Sequence, residues 1–256
     1  MIALITANQS DVGKIRQLNE DYSWVGQLAD GITLAIVADG MGGHQAGDVA
    51  SRVAVDAMKE AVSRAIGDGA FTPEEGRALI RSAMEGANAT VFELASGNEQ
   101  YYNMGTTLIA ALVRGSEATI GHIGDSRVYL IDSAGIKQIT EDHSLVNELV
   151  RSGQISPEEA AHHPRRNVVT RAVGTDEYVE ADVLTVQLEQ DAVLLLCSDG
   201  LTTMVSDEQL LETITTKELE LSAKAERLIQ LALQAGGDDN VTVTLLQHSA
   251  GTKQEV

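Results

Sequence analysis

Four times in this sequence an apolar, strand-like run meets an aspartate. ITLAIVADG ends on Asp39-Gly40, ATIGHIGDS on Asp125-Ser126 and AVLLLCSDG on Asp199-Gly200, while in GGDDNVTVTLL Asp239 stands just before the run begins. Such runs belong in a core, yet a carboxylate is costly to bury without a partner. The chain must therefore bury the runs and bring the carboxylates out where strand meets loop.

Asp-Gly also makes turns. Asp30-Gly31, between DYSWVGQ and ITLAIVA, reads as a tight hairpin that pairs those two runs antiparallel. Asp39 and Asp199 are different, because each follows a full apolar run and precedes irregular or helical sequence. Strand-end carboxylates that converge raise one another's pKa unless positive charge intervenes. Few lysines or arginines lie beside these aspartates, and an oxygen-rich, cysteine-free donor set suits hard cations such as Mg²⁺ or Mn²⁺. A dinuclear metal centre is the expectation.

Composition narrows the alternatives. Against 38 Asp+Glu stand 18 Lys+Arg, a formal net charge of -20, and only 3% of residues are aromatic. Nucleic acid and anionic lipid need basic patches, and single strands need stacking platforms, so neither is an expected partner. The single cysteine, Cys197, excludes an internal disulfide. No signal-peptide pattern and no apolar stretch of the roughly 20 residues that cross a bilayer is apparent, so the expected location is the cytoplasm.

No linker or repeat divides the 256 residues, which read as one domain over 1–247 with a flexible tail over 248–256. From Ala46, an amphipathic helix is expected with Val49, Ala50, Val53, Ala57, Ala61 and Ala65 inward. A second starts near Pro73, capped by Thr72, with Ile80, Ala83, Ala87, Val91 and Leu94 on one stripe. TTLIAALVR, EATIGHIG, RVYLID, DVLTVQL, AVLLLCS and NVTVTLLQ read as strands, and residues 219–236 as a last helix. Strands and helices in blocks argue for α+β, with helices covering a largely antiparallel sheet system.

Arg16, in RQLNEDY just ahead of a strand, suits a grip on phosphate oxygens through paired hydrogen bonds, with a surface arginine as the alternative. The ordered set R-x-x-N-E-D (16–21), ADGMGGH (38–44), GTT (105–107), GDSRVY (124–129), DHS (142–144), SDGLT (198–202) and GGDDNVTV (236–243) resembles the metal-dependent, type-2C (PPM) protein Ser/Thr phosphatases, in the form found in bacteria. The resemblance spans nearly the whole chain.

It implies a central β-sandwich of two antiparallel sheets flanked by helices on both sides, in four layers. It also implies a protein Ser/Thr phosphatase that attacks phosphoSer or phosphoThr directly with a metal-bridging hydroxide, without a phosphoenzyme. By likeness Asp39 bridges two ions, the carbonyl of Gly40 binds one of them, and Asp199 and Asp239 complete the other. Glu20 and Asp21 hold metal-bound waters, Asp21 also being a direct candidate ligand, and Asp125 joins Asp199 at a third ion. Arg16 orients the phosphate. Either His44 or a water at the third ion protonates the leaving oxygen. The implied partners are phosphoproteins made by Ser/Thr kinases, met by a monomeric enzyme.

Cys197 sits inside an apolar run with no basic, Gly-rich loop after it, so a core thiol is expected rather than a nucleophile. His122, His162 and His163 receive no role. Arg165, Arg166 and Arg171 concentrate positive charge and suit either an acidic phosphopeptide or structural pairing.

Overall fold

The computed structural model describes residues 2–29, 31–42, 46–67 and 71–250. In chain order the elements are β1 (Ile2–Asp11), β2 (Asp21–Ala29), β3 (Ile32–Met41), α1 (Ala46–Ile66), α2 (Pro73–Gly97), β4 (Gly105–Thr106), β5 (Leu108–Arg114), β6 (Glu117–Ile123), β7 (Arg127–Asp132) and β8 (Gly135–Gln138). Then follow α3 (Leu145–Arg151), α4 (Pro157–Ala161), β9 (Asp182–Gln187), β10 (Val193–Cys197), α5 (Asp199–Thr202), α6 (Asp207–Thr215), α7 (Leu221–Ala235) and β11 (Val241–Ala250).

Two antiparallel sheets form, in the orders β1-β11-β10-β7-β8 and β2-β3-β5-β6-β9, with β4 added beside the end of β3. The strands alternate their side chains between two packed faces. Val37, Ile109, Ile120, Val128, Leu194, Leu196 and Leu246 fill the space between the sheets. Leu34, Ile36 and Leu112 face α1 and α2. Leu195, Cys197, Val243 and Leu245 face the opposite helical layer with Leu228 of α7. This is the expected helix-sheet-sheet-helix order, refined in one respect: the leucine run serves both the inter-sheet core and the α7 layer.

β2 and β3 pair antiparallel as read, with Trp24 opposite Ile36, and Gly31 holds φ 71, while Asp30 of the expected turn lies outside the described residues. The second helix opens with the expected cap, a reciprocal capping box in which Glu75 N–H donates to Thr72 Oγ1 at 3.3 Å and Thr72 N–H to Glu75 Oε2 at 2.7 Å. In α1 the buried stripe is rotated from the expected one. Ala54, Val55, Met58, Val62 and Ile66 are inward, Val49, Val53, Ala57 and Ala61 half-buried, and Ala65 exposed. The larger side chains remove more apolar surface from water and so set the helix rotation.

The sequence patterns miss β1, β4 and β8 and end β11 too early. β1 is an edge strand with mostly exposed residues, so it carries no apolar alternation, yet it pairs with the whole length of β11. β11 in turn runs to Ala250, so His248, Ser249 and Ala250, read as tail, belong to the sheet. Residues 251–256 lie outside the described residues.

Candidate active site

The carboxylates meet at one end of the sandwich. Asp39 lies near the end of β3, directly opposite Asp21 at the start of β2. Asp125 follows β6, Asp199 opens α5 after β10, and Asp239 precedes β11. A cleft of about 240 Å³ is lined by Arg16, Glu20, Asp39, Gly40, Asp125, Asp199 and Asp239, together with Thr107, Asn167 and Val169. Asp21, buried at 7% exposure, lies outside that lining. His44 lies outside the described residues.

Backbone packing sets this convergence. Asp39 is held from both sides: its N–H donates to Thr107 Oγ1, and its carbonyl accepts from Thr107 N–H and Thr106 Oγ1, each at 2.9 Å. At Gly40 a Cβ would run into the Gly47 carbonyl, and at Gly200 into the Asn240 carbonyl, so only glycine permits the approach of these segments. Asn240 ties the Arg16 loop to β11. Its Nδ2 donates to the carbonyls of Val12 at 2.9 Å and Leu18 at 3.0 Å, and its Oδ1 accepts from Glu20 N–H at 2.8 Å.

The electrostatics are those of a site lacking positive charge. Burial, then the neighbouring Asp21, Asp199, Asp125 and Asp239, pushes Asp39 well above the usual carboxylate range. Burial first, and Asp199 next, push Asp125 up to about 7. Asp21 is also pushed up to about 7, chiefly by burial, against hydrogen bonds from Ser198 and Thr242 that favour its charged form. Burial and then Asp239 raise Asp199, which also lies within hydrogen-bonding reach of Asp39. Ser198 Oγ donates to Asp21 Oδ2 at 2.7 Å, while Asp21 Oδ1 is buried with no hydrogen-bond partner. Orphaned carboxylate oxygens and mutually raised carboxylates, with no sulfur or nitrogen donor among them, fit hard divalent cations.

Arg16 Nη2 meets Asp239 Oδ2 at 2.8 Å, with the two side chains 49% and 36% exposed. It is thus at the cleft mouth, on a carboxylate assigned to metal. The Glu20 carboxylate lies against Gly47 in the first turn of α1, and its pKa is raised mainly by burial. A helix N-terminus suits a carboxylate, so Glu20 also anchors α1 beside the site. Arg166 lines an adjoining cavity of about 500 Å³ that shares Asp125, Asn167 and Asp199 with the cleft. Arg171 is structural, donating to Asp182 Oδ1 at 3.0 Å and to the Glu180 carbonyl at 3.1 Å. Cys197 is fully buried, and burial pushes its thiol up to about 12.

The sequence patterns assigned no role to Thr106, Thr107, Ser198 or Asn240. Ser198 and Asn240 adjoin aspartates, and Thr106 and Thr107 lie in the GTT motif far from any, so position in a motif was the one signal.

Residues 14–234 match the family model described as protein phosphatase 2C. The chain is 42% identical over 249 residues to the serine/threonine phosphatase stp of Listeria monocytogenes, covering 96% of each chain. It is 41% identical over 245 residues to the protein phosphatase PhpP of Streptococcus pneumoniae, again 96% of each. Among solved structures, the catalytic domain of the serine threonine protein phosphatase PstP in complex with two manganese ions superposes with a TM-score of 0.85 at 35% identity, over 98% of this chain and 100% of that one. The chain belongs to the protein phosphatase 2C family, in its bacterial PPM form. It is a metal-dependent protein serine/threonine phosphatase.

Proposed function

We propose that this phosphatase hydrolyses phosphoserine and phosphothreonine by direct transfer of the phosphoryl group to water at the acidic cluster. The observation that carries the reading is the convergence of Asp39, Asp125, Asp199 and Asp239 on one cleft, with Asp21 opposite Asp39. Asp39, the Gly40 carbonyl, Asp199 and Asp239 would hold two Mn²⁺ or Mg²⁺ ions, and Asp125 with Asp199 a third. Bound there, the ions supply a water acidic enough to serve as nucleophile near neutral pH and positive charge facing the phosphate.

The chain's own residues do the rest. Arg16, at the cleft mouth, orients the phosphate and balances charge on its equatorial oxygens. Glu20 and Asp21 accept hydrogen bonds from water around the cluster. Either His44 or a water held at the cluster would donate the proton to the departing Ser or Thr oxygen. The buried Cys197 thiol argues against a phosphocysteine intermediate. We place the substrates among proteins phosphorylated by Ser/Thr kinases, and the enzyme in the cytoplasm as a monomer whose single catalytic domain runs through the end of β11 at Ala250.

The test uses a phosphothreonine peptide labelled on phosphorus, with Mn²⁺ added. Expected are steady turnover and no label on protein after acid quench; a trapped phosphoprotein overturns direct hydrolysis. Asp39→Asn should abolish turnover and weaken Mn²⁺ binding at least tenfold by calorimetry, and unchanged binding overturns the metal assignment.

A further inference from the structure

The DHS motif is not absorbed by the acidic cluster, and each of its residues has its own task. Asp142 takes the Arg127 guanidinium through hydrogen bonds of 2.7 to 3.1 Å. Ser144 caps α3. Between them His143, 8% exposed, reaches Gly124, the residue before Asp125.

The grip on Gly124 is double. His143 N–H donates to the Gly124 carbonyl at 2.8 Å, and Gly124 N–H donates to His143 Nδ1 at 3.1 Å. Gly124 holds φ +109, and a Cβ there would strike Thr107, so the turn is wedged between Thr107 and the His143 ring. On its far side the Thr107 and Ser126 hydroxyls meet at 2.7 Å. Because Nδ1 accepts, the ring proton sits on Nε2, which donates to Asp182 Oδ2 at 3.1 Å; Arg171 in turn holds Asp182 Oδ1 at 3.0 Å. The His143 carbonyl accepts from Thr170 N–H at 2.8 Å, joining the segment whose Asn167 and Val169 line the cleft.

A competing reading makes His122, His143 and Asp182 a metal site. Their ligand atoms lie within 4.8 Å of one another, and both ring nitrogens of the buried His122 lack partners. Two features oppose it: the Gly124 N–H occupies the lone pair of His143 Nδ1, which assigns the ring proton to Nε2, and the Arg171 guanidinium lies 3.1 Å from Nε2, where it would repel a cation. The His122 ring instead packs against His143, with centroids 4.4 Å apart.

We infer that His143, oriented by Asp182 and Arg171, is a positioning residue that fixes the Gly124-Asp125 turn and so presets Asp125 for its ion. The consequence for metal rests on the proposed assignment of Asp125; the grip on the turn does not. The experiment uses the full chain, with amide hydrogen exchange of Gly124 followed by NMR in EDTA and Mn²⁺ binding followed by calorimetry. His143→Ala should speed Gly124 exchange at least tenfold and weaken the last-bound Mn²⁺ about tenfold, leaving the earlier ions unchanged. His143→Asn, which keeps an acceptor near the Nδ1 position, should restore both. Should His143→Ala not fold, Asp182→Ala, at a half-exposed position, should give the same two changes at smaller amplitude.

Unchanged Gly124 exchange overturns the inference, as does equal weakening of every Mn²⁺ step, which would mark general loosening. Zn²⁺ that saturates the His122 and His143 imidazole nitrogens would overturn it in favour of the metal reading. Asp125→Asn separates the two levels. If it leaves the last Mn²⁺ step unchanged, the metal role of Asp125 falls, and faster Gly124 exchange in His143→Ala still supports the grip on the turn.

Discussion

Arg16 is the residue whose environment says most about how the cleft is used. Its guanidinium is only half-covered, and the exposed pair with Asp239 is therefore weak in solution, on the order of 0–1 kcal/mol. On the proposed assignment, a cation on Asp239 would compete with Arg16 for that carboxylate and free the fork for phosphate. Arg16→Ala should lower kcat/KM for a phosphothreonine peptide by about 10- to 100-fold, the range of ~1.4–3 kcal/mol in transition-state binding, with little change in melting temperature. Unchanged kinetics would remove Arg16 from the phosphate site. Cys197 makes the opposite case. With its thiol at about 12 and facing α7, Cys197→Ala should retain turnover, and alkylating reagents should leave the native enzyme active. At this scale the site was readable because its acids stand out against apolar runs. The hydroxyls that hold them were not: Thr107 and Ser198 act through hydrogen bonds to residues 68 and 177 positions away, and no local pattern carries such a distance.

At the scale of elements, patterns were legible where one face is buried and the other wet. α2 announced itself by Thr72, Pro73 and a regular stripe, and the β2–β3 hairpin by its turn. α6 has the same kind of signal in Ser206 and Gln209, a capping box, but only a short buried stripe of Leu210, Thr213 and Ile214 behind it. β1 was illegible for a physical reason, since an edge strand facing solvent has no need of alternation. Close approach between elements is the part that sequence spacing hides. α5 packs so tightly on the segment before β11 that Gly200→Ala should destabilise the metal-free protein by about 1–3 kcal/mol in urea denaturation, the usual cost of overfilling a packed contact. A neutral result would mean that the Asn240 carbonyl can move without disturbing Asp239.

At the scale of the whole molecule, the acidic end of the sandwich couples metal to stability. Asp21 and Asp125 titrate at about 7 in the folded chain, against about 3.9 for an unfolded aspartate. Between those values the folded state binds more protons than the unfolded, so these groups make metal-free stability fall as pH rises from about 4 to about 7. Asp182, held below its ordinary value in its bonds to His143 and Arg171, works in the other direction. The diagnostic is therefore the difference between melts in Mn²⁺ and in EDTA. That difference should widen from about pH 5 to about pH 7.5, each kcal/mol appearing as about 2–4 °C. Asp39→Asn should raise the melting temperature in EDTA near pH 7 and erase the Mn²⁺ increment. An increment independent of pH would show that binding displaces no protons from the cluster.

The sheet order has a further implication for how such a molecule comes into being. β11 is the final described strand to be synthesised, yet it lies inside its sheet between β1 and β10, and Asp239 immediately precedes it. A nascent chain halted anywhere before Val241 therefore has a divided sheet and an open catalytic end. β1, made first, can join β10 only once β11 stands between them, so the strand that opens the chain and the acid just ahead of Val241 reach their places in the same late step of folding.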